Sequence, residues 1–141
     1  MIALGIDPAR GWAIAEDGKI VKCGTVAGVK ELTAKIIAIN AAIKLDLVRI
    51  EKPKNMYVYQ RPGYSVARMK HVAQSVGQNF AKADGLVFLC EGLGINVEVV
   101  PPLRGFVKLN AITFKTITGY HGKTSEHARD AGMLVHGRKT V

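Results

Sequence analysis

The chain opens with Ile2-Ala3-Leu4-Gly5-Ile6-Asp7, a short apolar run that ends in an acid and predicts a first strand. Gly11–Glu16 (GWAIAE) predicts a second strand, and Lys19–Val26 (KIVKCGTV) alternates enough for a third. Asp17-Gly18 lies between the second and third runs, and both central residues of a type I′ hairpin turn need positive φ. The first 26 residues therefore predict an antiparallel meander. Leu32, Ile36, Ile39 and Ile43 recur on one helical face, which predicts a helix over Val29–Lys44. Leu47-Val48-Arg49-Ile50-Glu51 then reads as a fourth strand, again ending in an acid. A right-handed strand–helix–strand crossover lays that strand parallel to one strand of the meander.

Lys52–Gly63 (KPKNMYVYQRPG) reads as a loop, and Tyr64 to about Leu93 as a long helix. Val72, Val76, Phe80, Ala83 and Val87 form an apolar ridge on that helix, beside a ridge of small residues, Ala73, Gly77, Ala81 and Gly85. Interior glycines weaken a helix by about 1 kcal/mol each relative to alanine, so the small ridge implies close approach by another backbone, or a kink near Gly77. Ile95–Val100 is a fifth strand stopped by Pro101-Pro102, while Leu103–Gly122 fits no single element. Ser125–His136 reads as a final helix, with Thr124 or Ser125 to cap it and Gly137 to end it. The expected architecture is one α/β domain over residues 1–141. It is a five-stranded mixed sheet, antiparallel meander plus parallel strands, flanked by helices.

Charge changes the picture. Lys and Arg total 20 against 11 Asp and Glu, a formal net charge of +9, which favours an anionic partner: nucleic acid, an anionic membrane surface or an acidic protein. Met1–Ile6 is too short and lacks the positive flank of a secretory signal, and no run approaches the ~18 apolar residues of a membrane span, so a cytoplasmic protein is expected. Cys23 and Cys90 are far apart and form no metal or disulfide pattern, so both are expected as buried thiols in a reducing compartment.

In so basic a chain the placement of the acids carries information. Asp7 and Glu51 end strands that the topology makes parallel neighbours, so both emerge at one sheet edge. Asp130 lies three residues after His127, and positions i and i+3 share a helical face. Ala128, Ala131 and Gly132 leave that helix slim enough to lie against a sheet. Clustered carboxylates repel one another unless a cation is shared. Oxygen donors with a single imidazole favour Mg²⁺ or Mn²⁺ over Zn²⁺. Two such ions about 4 Å apart can clamp the attacking and leaving oxygens of a phosphodiester. Asp7, Glu51, His127 and Asp130 are therefore the candidate metal-ligating and catalytic residues. Taken singly, each has a plainer role: Asp7 or Glu51 as a strand-end cap or turn former, His127 as a solvated helix residue, Asp130 as a partner for Arg129 or Lys123.

Gly5-Ile6-Asp7-Pro8 resembles the opening motif of RuvC-type Holliday junction resolvases, in the RNase H-like superfamily. Glu51 resembles that family's second acid. His127-Ala128-Arg129-Asp130-Ala131 resembles its C-terminal helix motif, and Thr118-Gly119 with Lys115 and Lys123 its Lys and Thr-Gly segment. The chain is compressed between Thr118-Gly119 and the last helix, which is similar to phage or viral members, from a bacterial or virus-infected host. The resemblance implies that Asp7 bridges two Mg²⁺ ions, for which Mn²⁺ would substitute. It implies that Glu51 and Asp130 complete their ligation and that His127 ligates one ion or positions water. It also implies a homodimer that nicks a four-way DNA junction in pairs, leaving 5′-phosphate and 3′-hydroxyl ends.

The long helix Tyr64–Leu93, with its small-residue ridge, is the expected dimer element. Lys52, Lys54, Arg61, Arg68, Lys115 and Lys123 are expected phosphate contacts, and Tyr57 and Tyr59 could stack on splayed bases. Gly122-Lys123-Thr124 is not a phosphate-binding P-loop, because Ile117 stands where the motif needs its first glycine. Gly92-Leu93-Gly94 lacks the third glycine of a dinucleotide site, and His71, His121 and His136 have no cysteines at zinc spacing. Two alternatives use the same features: an RNase H-like nuclease for RNA–DNA hybrids or flaps, and a catalytically silent basic DNA-binding module.

Overall fold

The computed structural model describes residues 1–52, 63, 65–102 and 109–141. Strands β1 (Ile2–Asp7), β2 (Gly11–Glu16) and β3 (Lys19–Thr25) form the meander, and α1 (Val29–Ala42) leads to β4 (Leu47–Glu51). Helix α2 (Val66–Gly92) leads to β5 (Asn96–Val100), followed by α3 (Ala111–Thr118) and α4 (Glu126–Val135). The sheet has the order β3-β2-β1-β4-β5. Strand β1 pairs antiparallel with β2 and parallel with β4, with Ile6 beside Ile50. Strand β5 adds parallel to β4. The mixed five-stranded sheet expected from the sequence is the one observed.

The turn chemistry follows the sequence. Asp17 and Gly18 have φ of 50° and 81°, as the β2–β3 hairpin requires. Ser125 caps α4 by accepting the Ala128 N–H at 3.3 Å, and Gly137 stops it with φ of 77°. Within the stretch that fits no single element, Asn110 caps α3 through the Thr113 N–H and Gly119 ends it in the left-handed conformation.

Strand alternation gives the sheet two unlike faces. Leu4, Ile6, Trp12, Ile14, Val48 and Ile50 point to one side, where Leu32, Ile36 and Ile39 of α1 and Ala83, Leu86 and Cys90 of α2 cover them. Ala3, Ala13, Ala15, Ile20 and Leu47 point to the other, under Ala131, Leu134 and Val135 of α4 and Phe114 of α3. Ile43, expected on the buried face of α1, is instead its C-cap and exposed. Full burial pushes the Cys90 thiol up to about 11, and half-burial raises that of Cys23.

Candidate metal centre and nucleic-acid surface

Asp7 is the one buried charged side chain among the described residues. Its two oxygens have separate tasks. Oδ1 accepts the Ala9 N–H at 3.0 Å, the turn-forming role any strand-end Asp can take. Oδ2 faces His127 Nδ1 at 2.9 Å. Asp130 joins them: Asp7, His127 and Asp130 each offer a ligand atom, and these atoms lie within 4.8 Å of one another.

Close docking of α4 creates this meeting. A Cβ on Gly5 would stand 2.1 Å from the Ala131 carbonyl oxygen, and one on Gly11 would stand 2.1 Å from the His127 carbonyl oxygen. Real Cβ atoms never come so near, so only glycine at these two positions lets the α4 backbone rest on β1 and β2. Gly5 and Gly11 flank Asp7 and share its face, since Asp7 pairs with Gly11 and Gly5 with Ala13. Gly132 of α4, near Ile20, makes room for the buried Phe114 ring of α3.

Arg129, between His127 and Asp130, turns the other way. Its Nε donates to the Leu109 carbonyl at 2.7 Å, and its Nη1 donates to the Thr124 carbonyl and hydroxyl at 3.1 Å each. It thereby ties both ends of the α3 segment to α4. Neither the glycine notches nor this staple figures among the sequence-derived site residues. Glycines two before and four after a strand-end acid were the available signal for the notches.

Glu51 stands one register step beyond the Ile6–Ile50 pair, at the same end of the sheet as Asp7. Alternation puts it on the α4 face, because Arg49, two residues earlier, reaches the Leu134 carbonyl of α4. It is not one of the three groups whose ligand atoms converge within 4.8 Å. Three of the four predicted site residues therefore meet, and the fourth is their neighbour at the sheet edge.

Among the expected DNA contacts, Lys52 is engaged internally: its ammonium pairs with Asp84 and lies 4.2 Å over the Phe80 ring. Arg68 lies in the first turn of α2. Lys115 and Lys123 line an open cleft of about 280 Å³ between α3 and the turn before α4, together with Tyr120 and His121. Lys54, Tyr57, Tyr59 and Arg61 lie outside the described residues. No helix among the described residues is long and apolar enough to cross a membrane.

The fold is that of the RuvC-type Holliday junction resolvases. A Thermus thermophilus RuvC in complex with a Holliday junction substrate superimposes with a TM-score of 0.64 at 15% identity, over 97% of this chain and 92% of that one. A second Thermus thermophilus RuvC structure gives 0.57 at 16% identity, with the same coverage of each chain. No protein-family model and no curated protein sequence matches the chain.

Proposed function

We propose that this protein is a Mg²⁺-dependent endodeoxyribonuclease that resolves four-way DNA junctions as a homodimer, in the cytoplasm of a bacterial or virus-infected cell. The observation that carries the proposal is the convergence of Asp7, His127 and Asp130 in a chain of net charge +9. A buried carboxylate, a second carboxylate and an imidazole fit a hard divalent cation of the Mg²⁺ or Mn²⁺ type. Phage or viral origin, suggested by the compressed C-terminal part of the chain, belongs to the same proposal.

In this reading Asp7, Asp130 and His127 would hold a divalent cation, and Glu51 at the same sheet edge would add a further carboxylate to its ligation. In the tautomer that donates Nδ1–H to Asp7, His127 keeps a lone pair on Nε2, with which it can ligate or orient water. Bound divalent cations supply charge neutralisation to the attacking and leaving oxygens of an in-line phosphodiester displacement. The residues of the chain hold the scissile phosphate over the sheet edge and leave 5′-phosphate and 3′-hydroxyl ends. Lys115 and Lys123 offer the cations for neighbouring phosphates from their cleft beside α3. Two protomers together carry twice the charge of one, so junction binding falls steeply with added salt.

Support for a homodimer comes from α2. Ala83, Leu86 and Cys90 face the sheet, whereas Ala81 and Gly85 lie on the outer face with Phe88, which is 80% exposed. A Cβ on Gly85 would meet nothing within 4 Å, so this stripe has room for a second copy of the helix.

The test is an electrophoretic cleavage assay on a four-way junction, plain duplex and an RNA–DNA hybrid, each with Mg²⁺ and with chelator. The proposal expects paired nicks in the junction alone, dependent on Mg²⁺. Asp7→Asn abolishes them and leaves junction binding equal or tighter, because repulsion of the phosphate is relieved. A hybrid cut in preference to the junction makes the protein an RNase H-like nuclease. A D7N variant that cuts at the normal rate removes the site.

A further inference from the structure

Two carbonyls one turn apart on the sheet-facing side of α4, those of Ala131 and Leu134, meet two side-by-side residues of the sheet. Gly5 and Arg49 are register partners on the parallel strands β1 and β4. Gly5 makes room for the Ala131 carbonyl, and Arg49 Nη1 donates to the Leu134 carbonyl at 2.6 Å. That carbonyl lies in the last turn of α4, where Arg138 N–H bonds Val135 instead and the helix leaves acceptors without internal donors. Arg49 is itself aimed by Glu98 of β5, whose Oε2 accepts its Nε–H at 2.9 Å. The other oxygen of Glu98 accepts from Arg138 Nη2 at 2.5 Å, just past the end of the helix. One carboxylate thus joins β4, β5 and the chain beyond α4.

The geometry points to Arg49 as a positioning residue for the metal centre, setting the place of α4 along its own axis so that His127 meets Asp7. The inference rests on the nuclease reading and deepens it. Its warrant is a contrast in the forces on α4. The side chains that α4 buries toward the sheet are Ala128, Ala131, Leu134 and Val135, all apolar, and apolar burial has no direction. The Gly5 and Gly11 notches set how near the helix comes. The charge-assisted bond to the Leu134 carbonyl is directional, and a cation at a helix C-terminus is also favoured by the helix dipole. Asp130 stands four residues before Leu134, so a shift of that turn is carried directly into the site. Arginine suits the task because its planar fork can serve Glu98 and a carbonyl at once. This also explains why a half-buried Arg–Glu–Arg chain lies beneath a helix whose chemistry is at its other end.

The test uses Arg49→Met, which keeps an unbranched apolar stem and loses the bonds, and the milder Glu98→Gln, which loosens the aim of Arg49 should R49M fold poorly. The first readout is the His127 ring resonance in metal-free protein, with Asp7→Asn as the reference for a broken contact. The second is Mn²⁺ affinity by calorimetry without DNA. Both variants move the ring resonance toward the D7N position, R49M further than E98Q, and R49M weakens Mn²⁺ binding about tenfold or more. A lower melting temperature with His127 and Mn²⁺ affinity at wild-type values would make Arg49 merely structural and overturn the inference. Wild-type protein that takes up no Mn²⁺, while R49M still displaces the His127 ring, removes the nuclease reading and upholds the positioning role.

Discussion

The two faces of the sheet are built from the same strands by opposite rules. Toward α1 and α2, β1 and β2 send Leu4, Ile6, Trp12 and Ile14, large side chains that fill a thick core. Toward α4 they send Ala3, Gly5, Ala13, Ala15 and Gly11, with Asp7 at the edge. The first face buries area and carries stability, at roughly 25 cal/mol per Å² of apolar surface. The second sacrifices area for nearness: it brings a helix backbone onto the strands and a histidine onto a buried acid. In the proposed function, stability and chemistry are thus separated across one layer of sheet. The separation lies in side-chain size rather than polarity, since both faces are mostly apolar.

The largest effect that could break this comparison comes from Gly5→Val. Its Cβ falls at the place of the Ala131 carbonyl, 2.1 Å away, so α4 must lift. Overpacking of this kind costs about 1–3 kcal/mol or more, and displacement of a catalytic group by about 1 Å costs on the order of 100-fold in rate. Junction cleavage should fall at least that far, while circular dichroism still shows a folded sheet. Wild-type cleavage by G5V would mean that α4 does not need its close seat.

The opposite pattern is expected of Ile36→Ala on the other face. Ile36 is fully buried, and truncating it removes about 2–5 kcal/mol by urea titration. Measured well below the unfolding midpoint, Mn²⁺ affinity and cleavage should stay within about twofold of wild type, because additivity holds for sites without shared partners. A large loss of metal affinity in I36A would couple the faces and end the division of labour.

The sequence made the large-residue face legible and only half of the other. Strands, hairpin, α1 and the ends of α4 follow from periodicity and turn chemistry, which are local. The acids could be brought together on paper because their chain ends are fixed by topology: Asp7 closes β1 and Asp130 rides on the last helix. The notches at Gly5 and Gly11 left only the spacing of two glycines about Asp7 as a signal, because a glycine in a strand looks the same whether it relieves a turn or admits a carbonyl from the last helix. Arg49 was hidden for a related reason. A lone cation in an apolar strand has meaning only beside Glu98 and Leu134, and both come from elements far along the chain. Helix α3 escaped because its one buried anchor is Phe114, and one residue makes no period.

The smallest effect is the sharpest test of the proposed dimer, and its sign turns on protein concentration. Gly85 lies on the outer face of α2, in helical conformation, with nothing within 4 Å of where a Cβ would be. In an isolated protomer Gly85→Ala should therefore stabilise, by about 0.4–1 kcal/mol, through helix propensity and a less free unfolded chain. If a second α2 packs on the stripe of Ala81, Gly85 and Phe88, the added methyl separates two backbones that the glycine let approach. The dimer then weakens while the monomer strengthens. Melting temperature measured across a dilution series separates the cases: G85A lies above wild type when dilute and loses that advantage, or falls below, when concentrated. A constant gain at every concentration would show that α2 faces solvent alone, and the proposed paired nicking would then need another surface to bring two sites to one junction.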